Sequence, residues 1–246
     1  MKKEDLLRAT HPTVQFDGLS LDVRNLDSQA AFWHAALGGG TLRPEGPGRA
    51  RIDRIPRRPD AEILRLRQVP DLSPDGARVH LDLRLAGDQP DELIEAGATV
   101  VRKPGDDPWF VMADPEGNQF CAYPAVDERP PGIFELVVKC EVAHDLAKWW
   151  GTVLGGRIEQ EGEAVLVVGA PEFPWDFMVF DPVPDPRPVR PHLHWHVTLR
   201  DETPAELLKH GARLISGPDG DEDGWLLADP EGNRFHARAA ETAKPT

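Results

Sequence analysis

The sequence predicts an α+β fold of four βαβββ modules, because one long unit occurs twice and each unit alternates strands with short helices. Three motifs of the first half return in the second half in the same order. They are Phe32–Gly39 with Trp149–Gly156, Glu92–Ala98 with Glu206–Ala212, and Ala113–Phe120 with Ala228–Phe235. The copies lie 114 to 117 residues apart (92 to 206, 32 to 149). A period this long indicates a duplicated domain, since solenoid repeats span about 20–50 residues.

Hydrophobic periodicity predicts the elements of the first module. Apolar residues alternate over Leu19–Val23, which is typical of a half-buried strand. A helix follows, with Asp27 or Ser28 as its N-cap and Gly38–Gly40 at its end. The next strands are expected at Arg49–Ile55 and Ala61–Gln68.

The second module repeats this order and ends in a tight turn. Residues 79–85 alternate between an apolar face and a polar face that carries His80 and Asp82. The segment Asp114–Asn118 predicts a hairpin, because proline presets the turn and glycine accepts a positive φ. In the second half, Thr203–Glu206 has the pattern of a helix capping box.

These boundaries divide the chain into two domains. We expect the first at residues 14–126 and the second at 133–240, joined by a proline-containing linker at 127–132. Short segments flank them, an N-terminal extension at 1–13 and a C-terminal tail at 241–246. Each half, at about 110 residues, is long enough to bury a core of its own.

Composition excludes some functional classes. Acidic residues outnumber basic ones 42 to 28, and the net charge of −14 opposes nucleic-acid binding while attracting cations. Two cysteines make no disulfide framework, and no stretch has the length and apolarity of a membrane span. We therefore expect a cytoplasmic protein, a monomer or a homodimer, with no nucleic-acid or membrane partner.

Taken together, the order of two βαβββ modules per half and three sequence motifs resemble the vicinal oxygen chelate superfamily in its glyoxalase-like and bleomycin-resistance-like branch. The resemblance rests on the Phe-Trp or Trp-Trp helix that ends in Leu-Gly-Gly, the Val-His-Leu-Asp-Leu strand and the Asp-Pro-Glu-Gly-Asn hairpin, and it covers about residues 14–124 and 133–238. It implies U-shaped mixed sheets around cavities. Members include metal-dependent isomerases, lyases and dioxygenases, and metal-free proteins that sequester drugs, so the fold alone does not choose among them.

The resemblance also implies metal positions on the first and last strand of each module. In the first half they fall at Gly18, Arg65, His80 and Cys121, where glycine offers no ligand and arginine repels a cation. We therefore expect no essential metal in the first domain.

In the second half the corresponding positions are Glu135, Val179, His194 and His236. Glu135, His194 and His236 can hold Fe, Mn, Ni or Zn with positions open to substrate. Strand parity supports their convergence, because Leu193 and Trp195 alternate with His194. The alternative is that clustered histidines only line a wet groove.

The polar strand faces also predict a cavity for a small organic molecule. The residues expected to contact it are Asp22, Arg67, His80, Asp82, Trp109, Cys121, His196 and Trp225. For the tryptophans the alternative is packing, and for the polar residues it is solvation or ion pairing.

Two functions follow as expectations. The first is a glyoxalase-like protein that binds a small organic molecule without an essential metal in its first domain. The alternative is a metal-dependent lyase, isomerase or dioxygenase with the metal in its second domain. One half could also serve only to support the other, and no catalytic residues can be named from the sequence.

Overall fold

The computed structural model describes residues 12–72, 78–126, 129–184, 192–218 and 224–240. Residues 1–11, 127–128 and 241–246, which belong to the expected extension, linker and tail, lie outside the described residues. Within the described residues the elements follow the predicted order of four βαβββ modules, which confirms the fold class.

The elements of each module are as follows. Module 1 contains β1 (Val14–Val23), α1 (Leu26–Ala36), β2 (Thr41–Pro44), β3 (Arg49–Asp53) and β4 (Leu64–Gln68). Module 2 contains β5 (Val79–Arg84), α2 (Asp91–Glu95), β6 (Thr99–Arg102), β7 (Phe110–Ala113) and β8 (Gln119–Tyr123). Module 3 contains β9 (Gly132–Cys140), α3 (Ala143–Leu154), β10 (Arg157–Glu161), β11 (Ala164–Val168) and β12 (Phe177–Pro182). Module 4 contains β13 (Leu193–Leu199), α4 (Ala205–Lys209), β14 (Arg213–Ser216), β15 (Trp225–Ala228) and β16 (Arg234–Ala239).

Each module forms half of a mixed sheet. Its first strand pairs in parallel with its last strand, as β1 does with β4 and β13 with β16. The two middle strands continue outward from the last strand in antiparallel pairs. The outermost strands β2, β6, β10 and β14 are largely exposed, whereas the first strands, which meet at the centre of each sheet, are mostly buried.

The modules pair across the two sequence halves. Modules 1 and 4 form one eight-stranded sheet, in which β1 lies antiparallel to β13. Modules 2 and 3 form the other, in which β5 lies antiparallel to β9. We call them the outer-module sheet and the inner-module sheet. Modules 2 and 3 are consecutive in the chain, so a short connection suffices to place β9 beside β5.

Packing of the long helices ties the two sheets together. Trp150 lies on α3, the helix of module 3. Its ring centroid is 5.2 Å from that of Trp195 and 5.1 Å from that of Phe235, and both of these residues belong to the outer-module sheet. Trp33 of α1 makes the reciprocal contact with Phe120, at 5.7 Å between ring centroids. One hydrophobic cluster accordingly includes residues from all four modules. None of the helices in the described ranges is long and apolar enough to cross a membrane.

The repeated Asp-Pro-Glu-Gly-Asn segment is the predicted tight turn in both copies. The Asp114 carboxylate accepts hydrogen bonds from the backbone N–H groups of Glu116 and Asn118 at 2.9 Å. Asp229 does the same for Glu231 and Asn233. The buried aspartate therefore fixes the turn by satisfying backbone donors that would otherwise be orphaned.

The glutamate of the same turn caps a helix of the other sheet. Glu116 accepts hydrogen bonds from the backbone N–H groups of Arg24 (2.9 Å) and Asn25 (2.6 Å), just before α1. Glu231 accepts from Glu141 (2.9 Å) and Val142 (2.8 Å), just before α3. A carboxylate at this position also stabilises the positive end of the helix dipole. The repeated motif is thus a clamp between sheets as well as a turn.

Two predicted helix caps are wrong. The N-cap of α1 is Asn25, whose side chain accepts from the Ser28 N–H, and not Asp27 or Ser28. At α4 the N-cap is Pro204, and no side chain makes the hydrogen bond expected of a Thr203 capping box. In α1 the cap lies earlier because Glu116 already holds the preceding backbone, a contact that local sequence does not show.

Replacing Glu231 with alanine should destabilise the protein, because it leaves two backbone N–H groups at the start of α3 without an acceptor and removes the ion pair with Arg78 (3.1 Å). The expected loss of unfolding free energy is about 1–3 kcal/mol, measured by urea denaturation. The exposed Glu163→Ala variant is the matched control. Equal stability of the two variants would contradict the clamp.

Candidate functional site

Each sheet has an apolar face toward the core and a polar face on the other side, because side chains alternate along its strands. In β13 the buried residues Leu193, Trp195 and Val197 alternate with His194 and His196. The polar face of the outer-module sheet is called the histidine face. Its residues are Ser20, Asp22, Arg65, Arg67, His194, His196, His236 and Arg238. The polar face of the inner-module sheet is called the acidic face. Its residues are His80, Asp82, Arg84, Cys121, Tyr123, Glu135 and Lys139.

Three imidazoles converge on the histidine face. His196 and His236 are register neighbours on parallel strands, and their rings stack with centroids 4.7 Å apart. The ring of His194 lies 4.9 Å from that of His236. One nitrogen from each of the three lies within 4.8 Å of the others. The Ser20 hydroxyl, contributed by module 1, is 2.6 Å from Nε2 of His196 and holds that ring in place.

The electrostatics of this face keep His196 neutral. Burial lowers the pKa of His196 well below its usual value, and the positive charge of Arg65 acts in the same direction. Arg65 and Arg238 both reach the carboxylate of Asp17, at 3.3 Å and 3.0 Å. Two arginines share one acid, so the surroundings of the histidines carry excess positive charge. The cluster therefore offers imidazole lone pairs in a field that attracts anions.

Gly18 lies in a bulge of β1 beside the histidine face. Its φ is +92°, and a Cβ at this position would meet the Ile63 carbonyl oxygen at 2.7 Å. A side chain here would be strained and would clash, so this position cannot carry a ligand. The Arg65 guanidinium instead lies close to it and donates to the Asp17 carbonyl oxygen at 2.6 Å.

Asp22 and Arg67, predicted as ligand contacts, form an ion pair with each other. Arg67 donates from two nitrogens to the two carboxylate oxygens of Asp22, at 2.8 Å and 3.0 Å. A bidentate pair of this kind fixes both side chains. The ion pair therefore forms one rigid edge of the histidine face.

The acidic face collects two carboxyl groups at the junction of modules 2 and 3. Asp82 and Glu135 are opposite each other across the antiparallel β5–β9 pair, and Cys121 is the register neighbour of Asp82 on the other side. His80 Nε2 lies 3.4 Å from Asp82 Oδ1. Tyr123 follows two residues after Cys121 on the same face and stacks on Trp109 with ring centroids 4.9 Å apart.

Burial governs ionisation on this face. It raises the pKa of Asp82 to about 7, and it raises that of Glu135 to about 8, helped by the charge of Asp82. Burial lowers the pKa of His80 to about 4, with Lys139 adding to the effect. The pKa values of Cys121 and Tyr123 are raised by burial and then by the Asp82 charge. Near neutral pH the face therefore holds neutral histidine, thiol and phenol groups around two partly protonated acids.

The two clusters are copies of one position in modules 2 and 4. His80, Asp82 and Cys121 correspond to His194, His196 and His236 at offsets of 114, 114 and 115 residues (80 to 194, 82 to 196, 121 to 236). An alignment of Val79–Leu83 with Leu193–Val197 pairs His196 with Asp82, and it is the sequence signal for this correspondence. The sequence analysis predicts His196 as a ligand contact and not as a metal ligand.

The structure corrects the predicted metal triad. It brings His194 and His236 together on the histidine face but places Glu135 on the acidic face beside Asp82. The positions assigned to the first half are divided in the same way, with Gly18 and Arg65 in one sheet and His80 and Cys121 in the other. The reason is that modules pair across halves. The predicted aromatic contacts divide too, since Trp109 borders the acidic face through Tyr123 whereas Trp225 packs against the core.

The histidine cluster fits a divalent metal in its donor chemistry. Neutral imidazoles are the form that binds metal, and three of them leave positions open for a ligand. Tetrahedral bonds of about 2.1 Å need nitrogens roughly 3.4 Å apart, so modest ring movements would close the site. The cluster on the acidic face fits less well, because burial favours the protonated forms of Asp82 and Cys121, which metal binding would have to deprotonate.

Paired βαβββ modules place this chain in a class of proteins with two mixed sheets, each with one polar face, and comparison with known sequences identifies the family. The family model described as a glyoxalase-like domain matches residues 18–123 and again 135–237. The chain therefore belongs to the glyoxalase-like domain family, within the superfamily that its motifs resemble, and carries that domain twice. No curated protein sequence matches it significantly.

Solved structures show the same fold at low identity. Glyoxalase I from Zea mays is 12% identical, with a TM-score of 0.64 over 93% of each chain. A putative dioxygenase from Bacillus subtilis is also 12% identical, with a TM-score of 0.61 over 94% of this chain and 87% of its own. At such identities the likeness establishes the fold and leaves the chemistry to the residues of this chain.

Raising the pH from 6.5 to 8 should destabilise the protein through Glu135. Because the pKa of Glu135 is raised in the folded state, the folded protein holds a proton that the unfolded chain has released. The resulting stabilisation is complete below about pH 4.5 and is lost as the pH rises through about 8. Asp82, whose pKa is raised to about 7, adds to the loss over the same interval, whereas the histidines whose pKa is lowered affect stability mainly below about 6.5.

The Glu135→Gln variant should lose about 1–2 kcal/mol less unfolding free energy than the wild type over this interval. Urea denaturation at the two pH values measures the difference, with Glu163→Gln as the control. Identical pH profiles for Glu135→Gln and the wild type would show that Glu135 titrates normally.

Proposed function

We propose that the chain binds a small organic molecule with anionic oxygen donors at a three-histidine metal centre on its histidine face. The convergence of His194, His196 and His236 carries the proposal. The metal belongs to the second sequence half, where a transition-metal site was expected from the sequence. The imidazole donors suit Fe, Mn, Ni or Zn.

The residues of the histidine face would have different roles in binding. The three histidines would hold the ion, and the Ser20 hydroxyl orients the ring of His196. When bound, the metal would act as a Lewis acid that polarises ligand oxygens. Arg65 and Arg238, held together by Asp17, supply positive charge beside the site. This charge opposes the bare ion and favours a ligand that brings carboxylate or enolate groups to the open positions.

Binding is better supported than proton transfer. The carboxylates of Asp17 and Asp22 are each ion-paired with arginine, and the three imidazoles are assigned to the metal, so none of these groups is left to act as a general base. The proposal therefore retains the expected small-molecule binding and adds a metal in the second half. A lyase, isomerase or dioxygenase step at this centre remains the alternative.

Protein loaded with Zn²⁺ or Ni²⁺ and then desalted should retain about one ion per chain, because one three-imidazole cluster is proposed. His236→Ala should bind at least tenfold more weakly, since it removes one of three donors. His144→Ala is the matched control, because His144 is exposed and lies in the first turn of α3, away from the cluster. Plasma mass spectrometry measures the content, and equal occupancy in both variants would reject the assignment.

Oxalate should bind to the metal-loaded protein and at least tenfold more weakly to the metal-free form, because its two oxygens can occupy open metal positions. The Arg238→Gln variant should weaken this binding severalfold while leaving metal content unchanged, since it removes charge and no ligand. Titration calorimetry checks both points. Oxalate affinity independent of metal would support an arginine site instead.

A further inference from the structure

The acidic face has a structure suited to a ligand of its own. Asp82 is 3% exposed, and its Oδ1 atom makes no well-aligned hydrogen bond within the described residues, although His80 Nε2 lies 3.4 Å away. A buried carboxyl oxygen without a well-aligned donor is unfavourable, so this position would gain from a further partner. It lies at the junction of modules 2 and 3, with Glu135 opposite on the neighbouring strand.

An apolar wall adjoins this carboxyl pair on the same face. Val137, Leu166, Val168 and Val179 form a hydrophobic cluster separate from the main core, and Phe177 packs against it. Strand register places Val179 beside Val137 and Phe177 beside Glu135. Because Glu135 and Val137 are two residues apart in β9, they point to the same side of the sheet. The face thus combines buried acids with apolar surface, as ligand pockets commonly do.

The charges around the pair favour a cation. Asp82, Glu161 and Asp176 all act on Glu135 to raise its pKa, and Arg84 opposes them. Arg84, however, is hydrogen-bonded to Asp176 at 3.3 Å and lies over the ring of Phe134.

Two further cations act on Cys121 from the margin of the face. They are Lys139 and Arg102, of which Arg102 is paired with Asp107 at 2.8 Å. Five acids therefore face four basic groups, an excess of one acid. The acids are Asp82, Glu135, Glu161, Asp176 and Asp107, and the basic groups are Arg84, Lys139, Arg102 and Arg129, which lies 3.2 Å from Asp176.

Aromatic rings extend the same surface. Tyr123 lies on the neighbouring strand β8, two residues after Cys121, the register partner of Asp82. It stacks on Trp109 and meets Phe134 edge-on at 5.1 Å. Faces of such rings attract cations. A positively charged head group with an apolar body would find its charge, its bulk and its ring contacts satisfied within one site.

We propose that the acidic face is a second binding site, for a small organic cation such as an amine or quaternary ammonium, centred on Asp82 and Glu135. The site needs no metal and does not depend on the function proposed for the histidine face. The two sheets would then present ligand sites of opposite charge preference.

Binding of a cation should release protons, because it favours the ionised forms of Asp82 and Glu135, whose pKa values of about 7 and about 8 place them partly protonated at neutral pH. His80, with a pKa of about 4, stays neutral in this range, and the raised pKa values of Cys121 and Tyr123 keep both protonated. Affinity should accordingly rise between pH 6 and pH 8.5.

The test is calorimetric titration of the full chain with benzyltrimethylammonium, a cation that does not titrate, at several pH values and in two buffers of different ionisation enthalpy. We expect saturable binding at one site, with proton release to the buffer and affinity that increases at least fivefold from pH 6 to pH 8.5. Benzyl alcohol, which has an apolar body of similar kind without the charge, should bind at least tenfold more weakly.

Variants locate the site. Glu135→Gln and Asp82→Asn should each weaken binding at least tenfold, whereas Glu163→Gln and His236→Ala should leave it unchanged. If Asp82→Asn does not fold, Glu135→Gln decides, since Glu135 is only partly buried. Absence of binding, equal binding of benzyl alcohol, proton uptake, or insensitivity to Glu135→Gln would each overturn the proposal.

Discussion

The antiparallel pairing of first strands between sequence halves determines the rest of the molecule. Because β1 pairs with β13 and β5 with β9, every polar face is shared by one module from each half. The helices α1 and α3 pack on strands of their own module, and their tryptophans also contact residues of the other sheet from the same half. Sheet pairing across halves and helix packing within halves together make one hydrophobic core.

Much of this fold could be predicted from the sequence. Alternating apolar residues, the Leu-Gly-Gly helix end and the Asp-Pro-Glu-Gly-Asn turns are local signals, and each is read correctly from its own segment. Module pairing is a long-range choice that no local pattern records. His194 and His236 lie within one module, so their proximity follows from the sequence. Glu135 lies in another module, and its position beside Asp82 depends on the module pairing that the sequence does not reveal. The early cap at Asn25 escaped prediction for the same reason, since Glu116 reaches it from the other sheet.

Duplication followed by divergence explains the contrast between the two faces. Equivalent positions carry His80, Asp82 and Cys121 in module 2 and His194, His196 and His236 in module 4. The partner modules reinforce the difference, because module 3 adds Glu135 and module 1 adds Arg65. The histidine face therefore combines neutral imidazoles with arginines. The acidic face combines acids of raised pKa with aromatic rings. A single duplicated scaffold can in this way present two different chemistries.

Anomalous diffraction from crystals grown with Zn²⁺, recorded above and below the zinc absorption edge, tests the central assignment most directly. The account predicts one strong anomalous peak bonded to nitrogens of His194, His196 and His236, on the face that also carries Ser20 and Arg65. A peak on the acidic face beside Asp82, or no peak at either cluster in well-ordered crystals, would contradict it.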